Sequence, residues 1–217
     1  MIVMPANNSN AHTLEMVFPG QLGLIMCPSG IRNPRDLTWA LDSELYAAWR
    51  NSKFSELKSE IYKHWDKSAF LKMIEWAKKQ VSKPRWITVP DVPGNAYETL
   101  KQWDKWYPIM KKTGFQLAMV VQDGMKPSDV PEGVVCFMGG TTDWKWQNVE
   151  RFCAECWRTH VGRVNQYRYF WRCHEAGAES CDGSGVFRGD QKQLRGFIAY
   201  LKESAGYTER IRQGELL

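Results

Sequence analysis

Residues 86 to 124, WITVPDVPGNAYETLKQWDKWYPIMKKTGFQLAMVVQDG, read as strand, helix and strand in succession. Trp86 to Val89 is a short apolar run that ends at Pro90-Asp91. Ala96 to Lys112 has the three-to-four spacing of an amphipathic helix and is closed by Gly114. Gln116 to Val121 is apolar almost throughout, as a strand buried on both faces must be, and it stops at the turn signal Gln122-Asp123-Gly124. Two buried strands joined by a helix make a parallel crossover unit, the building block of α/β folds.

The same alternation extends in both directions. Leu22 to Met26, Leu37 to Leu41, Val134 to Met138, His160 to Val164 and Ala178 to Cys181 are further candidate strands. Residues 43 to 82, Trp144 to Trp157, Gln166 to Ala176 and Gln191 to Glu203 read as helical. Residues 1 to 21 read as irregular, with one apolar run at Leu14 to Phe18. The expected architecture is a (β/α)₈ barrel of the TIM type, compact or incomplete. Seven strands are evident where closure needs eight, and Leu14 to Phe18 is the candidate for the missing one. No linker or repeat divides the chain, so residues 1 to 217 are expected to form one barrel domain.

Composition narrows the function classes. The 217 residues are 43% hydrophobic and 24% charged, the balance of a soluble globular protein, and no apolar stretch is long enough to span a membrane. The net charge of +5 suits a polyanionic partner without requiring one. Eleven Trp residues, many at helical spacing as in Trp103 and Trp106, fit packing of helices on a barrel, although some are candidates for stacking on bases. Six Cys without a secretory signal are expected to be reduced thiols in a cytoplasm.

Carboxylates gather where strands stop: Asp42 after Leu41, Asp91 after Pro90, Asp123 after Gln122 and Asp182 after Cys181. In a parallel barrel those ends share one mouth, where catalytic residues collect. For each of them the alternative is a strand-end residue that caps a helix or fixes a turn.

Taken in order, the tags Ala-Leu-Asp-Ser-Glu-Leu-Tyr (40 to 46), Val-Pro-Asp-Val-Pro-Gly (89 to 94), Val-Val-Gln-Asp-Gly (120 to 124), Phe-Met-Gly-Gly-Thr (137 to 141), His-Val-Gly-Arg-Val-Asn (160 to 165) and Ser-Cys-Asp-Gly-Ser-Gly (180 to 185) form a series. It resembles the DpdA family of 7-deazaguanine DNA transglycosylases, relatives of tRNA-guanine transglycosylase, over about residues 22 to 200. The resemblance implies exchange of guanine for a 7-deazaguanine through a covalent glycosyl-enzyme, expected in a virus that masks its DNA from restriction nucleases in the host cytoplasm. An oxocarbenium-like centre needs an anionic nucleophile on one face and a proton donor for the leaving base. By the resemblance Asp182 matches the nucleophile and Asp42 the general acid/base. Asp91, Gln122, Gly139 and Gly140 match the positions that grip the purine.

Arg163 and Asn165 lie in a matching tag, where Arg163 is suited to a phosphate or to a carboxylate. His160 reads as structural. The family's tag has a glycine where this chain has Glu44, and the Cys-x-Cys-x-x-Cys zinc cluster of the tRNA enzymes is absent. Cys153, Cys156 and His160, with Cys173 or His174, offer a local ligand set, but buried cysteines are common in cores and no metal is expected. No cofactor is expected. The partners expected are DNA and a free 7-deazaguanine base. The alternatives are a minimal tRNA-guanine exchange enzyme, a nucleic-acid-binding barrel without catalysis, and a glycosidase that leaves an abasic site.

Overall fold

Eight parallel strands of three to five residues form one sheet: β1 (Ile2–Pro5), β2 (Gly23–Met26), β3 (Thr38–Leu41), β4 (Ile87–Val89), β5 (Leu117–Val121), β6 (Val135–Met138), β7 (Thr159–Val161) and β8 (Ser180–Gly183). This computed structural model describes residues 1–6, 10–51, 65–188 and 190–212. The sheet runs β1-β8-β7-β6-β5-β4-β3-β2, and the parallel bridges Val3 to Leu22 and Ala6 to Ile25 join its two ends. The result is a (β/α)₈ barrel, as expected.

The eighth strand is not where the sequence reading put it. Ile2–Pro5 pairs with β8 in the register Met4 to Asp182, while Leu14 to Val17 belongs to helix α1 (Asn10–Val17). Only one face of that segment packs: Ala11 is fully buried and Leu14 leans on the core, whereas Met16 and Val17 are exposed. That is helical periodicity, and the apolar run concealed it. The Glu15 carboxylate then accepts from the backbone N–H groups of Gly20 (2.7 Å) and Leu22 (2.9 Å), which fixes the entry to β2.

The remaining helices among the described residues are α2 (Leu45–Asn51), α3 (Lys67–Lys78), α4 (Ala96–Lys111), α5 (Thr142–Glu155), α6 (Tyr167–Glu175) and α7 (Gln191–Arg212). The middle of the helical stretch expected at 43 to 82 lies outside the described residues. Side chains cap the helices where the sequence places polar residues: Asp66 accepts from Ala69 N–H (2.8 Å) and Asn95 from Glu98 N–H (3.1 Å). Alternation is not complete. The β2–β3 and β5–β6 connections carry only short 3-10 turns, Pro28–Gly30 and Pro127–Asp129, since prolines crowd these segments and remove the donors a longer helix would use.

Strand alternation sorts the core into two layers. Met4, Ile25, Ala40, Trp86, Ala118, Val120, Val135 and Phe137 fill the barrel interior. Their neighbours point outward to the helices, among them Trp39, Leu41, Val121, Cys136 and Cys181, packed with Phe70, Trp106, Val149 and Phe170. The aromatic excess is therefore mostly packing, as in the edge-on pair Trp65–Trp106 (5.6 Å between centroids). Burying one such ring contributes on the order of 2 kcal/mol. Among the described residues no helix is long and apolar enough to cross a membrane.

Candidate active site

The carboxyl ends of the strands bring the expected acids to one mouth. Asp42 follows β3 directly and Asp91 lies two residues past the end of β4; Gln122 follows β5, Gly139 follows β6, Arg163 lies just past β7, and Asp182 is within β8. Alternation decides which side chains face inward. Cys181 points to the helices, so Ser180 and Asp182 face the barrel interior, and Asp42 does so because Leu41 faces out.

Asp42 accepts a hydrogen bond from the Thr88 hydroxyl (3.2 Å), whose oxygen accepts in turn from Ser43 N–H (2.8 Å). Burial, and then the charge of Asp182, push the Asp42 carboxyl up to about 6, and the Thr88 bond opposes that rise. Asp91 is 5% exposed, and burial followed by the Asp42 charge lifts it to about 7. The mouth therefore holds two carboxyls that exchange protons near neutrality.

Asp182 sits opposite a buried histidine. His160 Nε2 lies 3.1 Å from Asp182 Oδ1, and His160 Nδ1 lies 2.8 Å from Ser180 Oγ. Arg163 N–H reaches the same Oδ1 at 3.3 Å because Arg163 adopts φ 61°, a left-handed conformation that few non-glycine residues take. Lys145 of α5 braces this turn: it is 1% exposed, and its ammonium donates to the Gly162 carbonyl. Burial, then the Arg163 charge, lower its pKa to about 8. Neither Thr88, Ser180 nor Lys145 stood out in the sequence. The first two had a signal, since Thr88 is two residues on from inward-facing Trp86, and Ser180 is two before Asp182.

The residues matched to purine recognition form one network. Gln122 Nε2 donates to Asp91 Oδ2 (2.7 Å), and its Oε1 accepts from Gly94 N–H (2.9 Å) and Gly140 N–H (3.1 Å). Gln122 is thus engaged by the protein itself. The Arg163 guanidinium donates to the carbonyls of Gly139 and Gly140 and lies over the Tyr46 ring at 4.6 Å, so it ties loops together at this mouth. Asn165 accepts from Gly185 N–H (2.8 Å) and brackets the loop after β8. Asp123 accepts from Thr141 N–H (2.5 Å) and its hydroxyl (2.6 Å), which is a turn-fixing role.

Two departures from the pattern that the sequence resembles have structural outcomes. Glu44, where the resembled pattern has glycine, has φ 68°, so the backbone keeps a shape that glycine adopts freely. Its carboxylate accepts from Ser29 N–H (3.0 Å) and the Ser29 hydroxyl, which offsets the strain. The local metal-ligand set does not assemble. Helix α5 ends at Glu155, before His160, whose ring lies inside the barrel against Trp86 and Phe137 while Cys153 packs on the outer layer. Among the described residues no cluster of three metal-ligating side chains is present, and all six cysteines are free thiols.

No family model and no curated protein matches the sequence. Among solved structures, a candidate fructose-1,6-biphosphate aldolase from Coccidioides immitis is similar at a TM-score of 0.52 and 11% identity, over 98% of this chain and 89% of that one. A tryptophan synthase complex from Pyrococcus furiosus (TM-score 0.49, 10% identity, 94% and 95% covered) and a native KDPGal structure (0.46, 10%, 97% and 95%) also align. At such identities the first of these speaks for the barrel fold alone, and fold does not carry function.

Proposed function

We propose that this barrel is a DNA guanine transglycosylase, an enzyme that replaces guanine with a 7-deazaguanine. The observation that carries the reading is the division of the mouth's acids: Asp182 is held by two donors, while Asp42 is raised to about 6 and so can both give and take a proton. In the first half-reaction an Asp182 oxygen bonds to C1′ as the C1′–N9 bond breaks. The electron pair leaves with guanine, which takes the proton carried by Asp42. In the second half the incoming base attacks C1′ through N9, gives its N9 proton to Asp42, and releases Asp182 as carboxylate. Asp91, ionised, accepts from the N1–H and amino group of the purine, and Gln122 holds that carboxylate in place. Because C1′ is closed off in a stacked duplex, the target nucleotide is extruded or single-stranded.

The test is release of label from guanine-labelled DNA in the presence of a 7-deazaguanine. Release is expected from the intact protein and not from Asp182→Asn, with a covalent adduct visible by mass spectrometry of the denatured chain. Release from tRNA and not DNA moves the assignment to tRNA exchange. Abasic DNA without incorporation indicates a glycosidase, and no release from either nucleic acid removes the enzymatic reading.

A further inference from the structure

The two oxygens of Asp182 have unequal surroundings. Oδ1 accepts from His160 Nε2 at 3.1 Å and from Arg163 N–H at 3.3 Å, whereas among the described residues no hydrogen bond reaches Oδ2. The donors belong to rigid parts of the molecule. His160 pairs in register with Ser180 across β7 and β8, is fully buried, and is gripped edge-on by Trp86 (4.8 Å between centroids) and Phe137 (4.6 Å). Ser180 and Asp182 lie two residues apart on one strand face, so the ring spans from one to the other.

The proton positions follow from the partners. A carboxylate only accepts, so Nε2 carries the hydrogen that points at Oδ1. In the neutral ring Nδ1 is then an acceptor, and the Ser180 hydroxyl donates to it across 2.8 Å. The Asp182 carboxylate selects the tautomer, the Ser180 hydroxyl turns to match it, and the aromatic pair selects the ring orientation.

Resting on the base-exchange reading, we infer that His160 is the positioning residue for Asp182: together with Arg163 N–H it ties down Oδ1 and leaves Oδ2 as the oxygen that attacks C1′. The Oδ2–C1′ bond forms as C1′–N9 breaks, the electron pair leaving with the base that takes the Asp42 proton. Oδ1 becomes the ester carbonyl and keeps both donors. When the second base displaces Oδ2, the returning negative charge is shared with Oδ1, where Nε2–H and N–H already wait for it. The same two donors therefore orient the nucleophile and favour its departure.

Two ring variants and one neighbour test this. His160→Phe fits the aromatic cage and has no donor, and His160→Gln keeps an amide N–H able to reach Oδ1. His160→Phe is expected to lower kcat between about tenfold and about a hundredfold, the effect of one hydrogen bond to a charged group, with KM for DNA unchanged and the glycosyl-enzyme accumulating. His160→Gln is expected to recover most of that loss. Independently of activity, ¹⁵N NMR of the wild-type ring is expected to show the Nε2–H tautomer, and Asp182→Asn, whose amide can both donate and accept, to mix the tautomers. An Nδ1–H ring in the wild type, or exchange by a folded His160→Phe equal to wild type, overturns the inference and leaves base exchange standing. If the wild type shows the Nε2–H ring but exchanges no base, the base-exchange reading falls, and with it the attacking role of Oδ2.

Discussion

Asp91→Asn should make the protein more stable, and increasingly so as pH rises. In the folded chain Asp91 titrates at about 7 against 3.8 for an ordinary aspartate, with burial the main cause. At 1.36 kcal/mol per unit, holding its charge inside costs about 4 kcal/mol. Because the folded pKa is raised, the folded state binds the extra proton between pH 3.8 and about 7, so stability is fully present below the lower value and is lost as pH climbs through the upper one. Asparagine is nearly isosteric, stays neutral, and can still meet the Gln122 amide. Its advantage over wild type should grow by about 2–3 kcal/mol between about pH 5 and about pH 8 and then level off. Urea denaturation at the two pH values, followed by tryptophan fluorescence and extrapolated linearly, measures this directly. An advantage independent of pH, or a variant weaker than wild type at pH 8, would falsify the assignment of a buried, strained carboxyl. A stabilising substitution at Asp91 would also mark the residue as one kept for work rather than for folding.

On the proposed base exchange, Thr88→Val removes the bond that stabilises ionised Asp42, so the alkaline limb of the rate, set by loss of the Asp42 proton near 6, should move to higher pH by on the order of half a unit; a pH–rate profile with an unmoved limb refutes this. Glu44→Ala keeps the φ of 68° and loses the Ser29 anchor, and is expected to cost about 1–2 kcal/mol in thermal melts, whereas Glu44→Gly relieves the backbone and should cost less. Equal losses would show that φ at this position is unstrained. Gly183→Ala sets a Cβ only 2.0 Å from the Val164 carbonyl oxygen, so about 2–3 kcal/mol of stability should go, and exchange with it; a variant that melts like wild type contradicts that packing.

Much of the site was legible because strand ends announce themselves: Asp42, Asp91, Gln122 and Asp182 each follow or close an apolar run, and parallel topology carries those ends to one mouth. Strand β1 was not legible, since Ile2 to Pro5 is a run of only four residues with a proline in it, and the longer run at Leu14 to Phe18 competed for the same place. His160 was read as structural, and its ring is buried inside the barrel, but its approach to Asp182 depends on a partner on the next strand, and no spacing in a sequence records cross-strand register. The Arg163 side chain was expected to meet a phosphate or a carboxylate. It holds the Gly139 and Gly140 carbonyls, a tie between neighbouring loops that no sequence spacing records.

The seam where β1 lies against β8 joins segments far apart along the chain, and Asp182 stands on that seam opposite Met4. Pairing of such distant segments bears the largest loop-closure entropy and tends to come late in folding. A refolding chain would then regain most of its helices and collapse its aromatic layer while Asp182 still lacked a fixed address. Pulse-labelled hydrogen exchange at Val3 and Asp182 reads that order: protection there arriving together with that of β4 and β5 would mean that the barrel closes all at once.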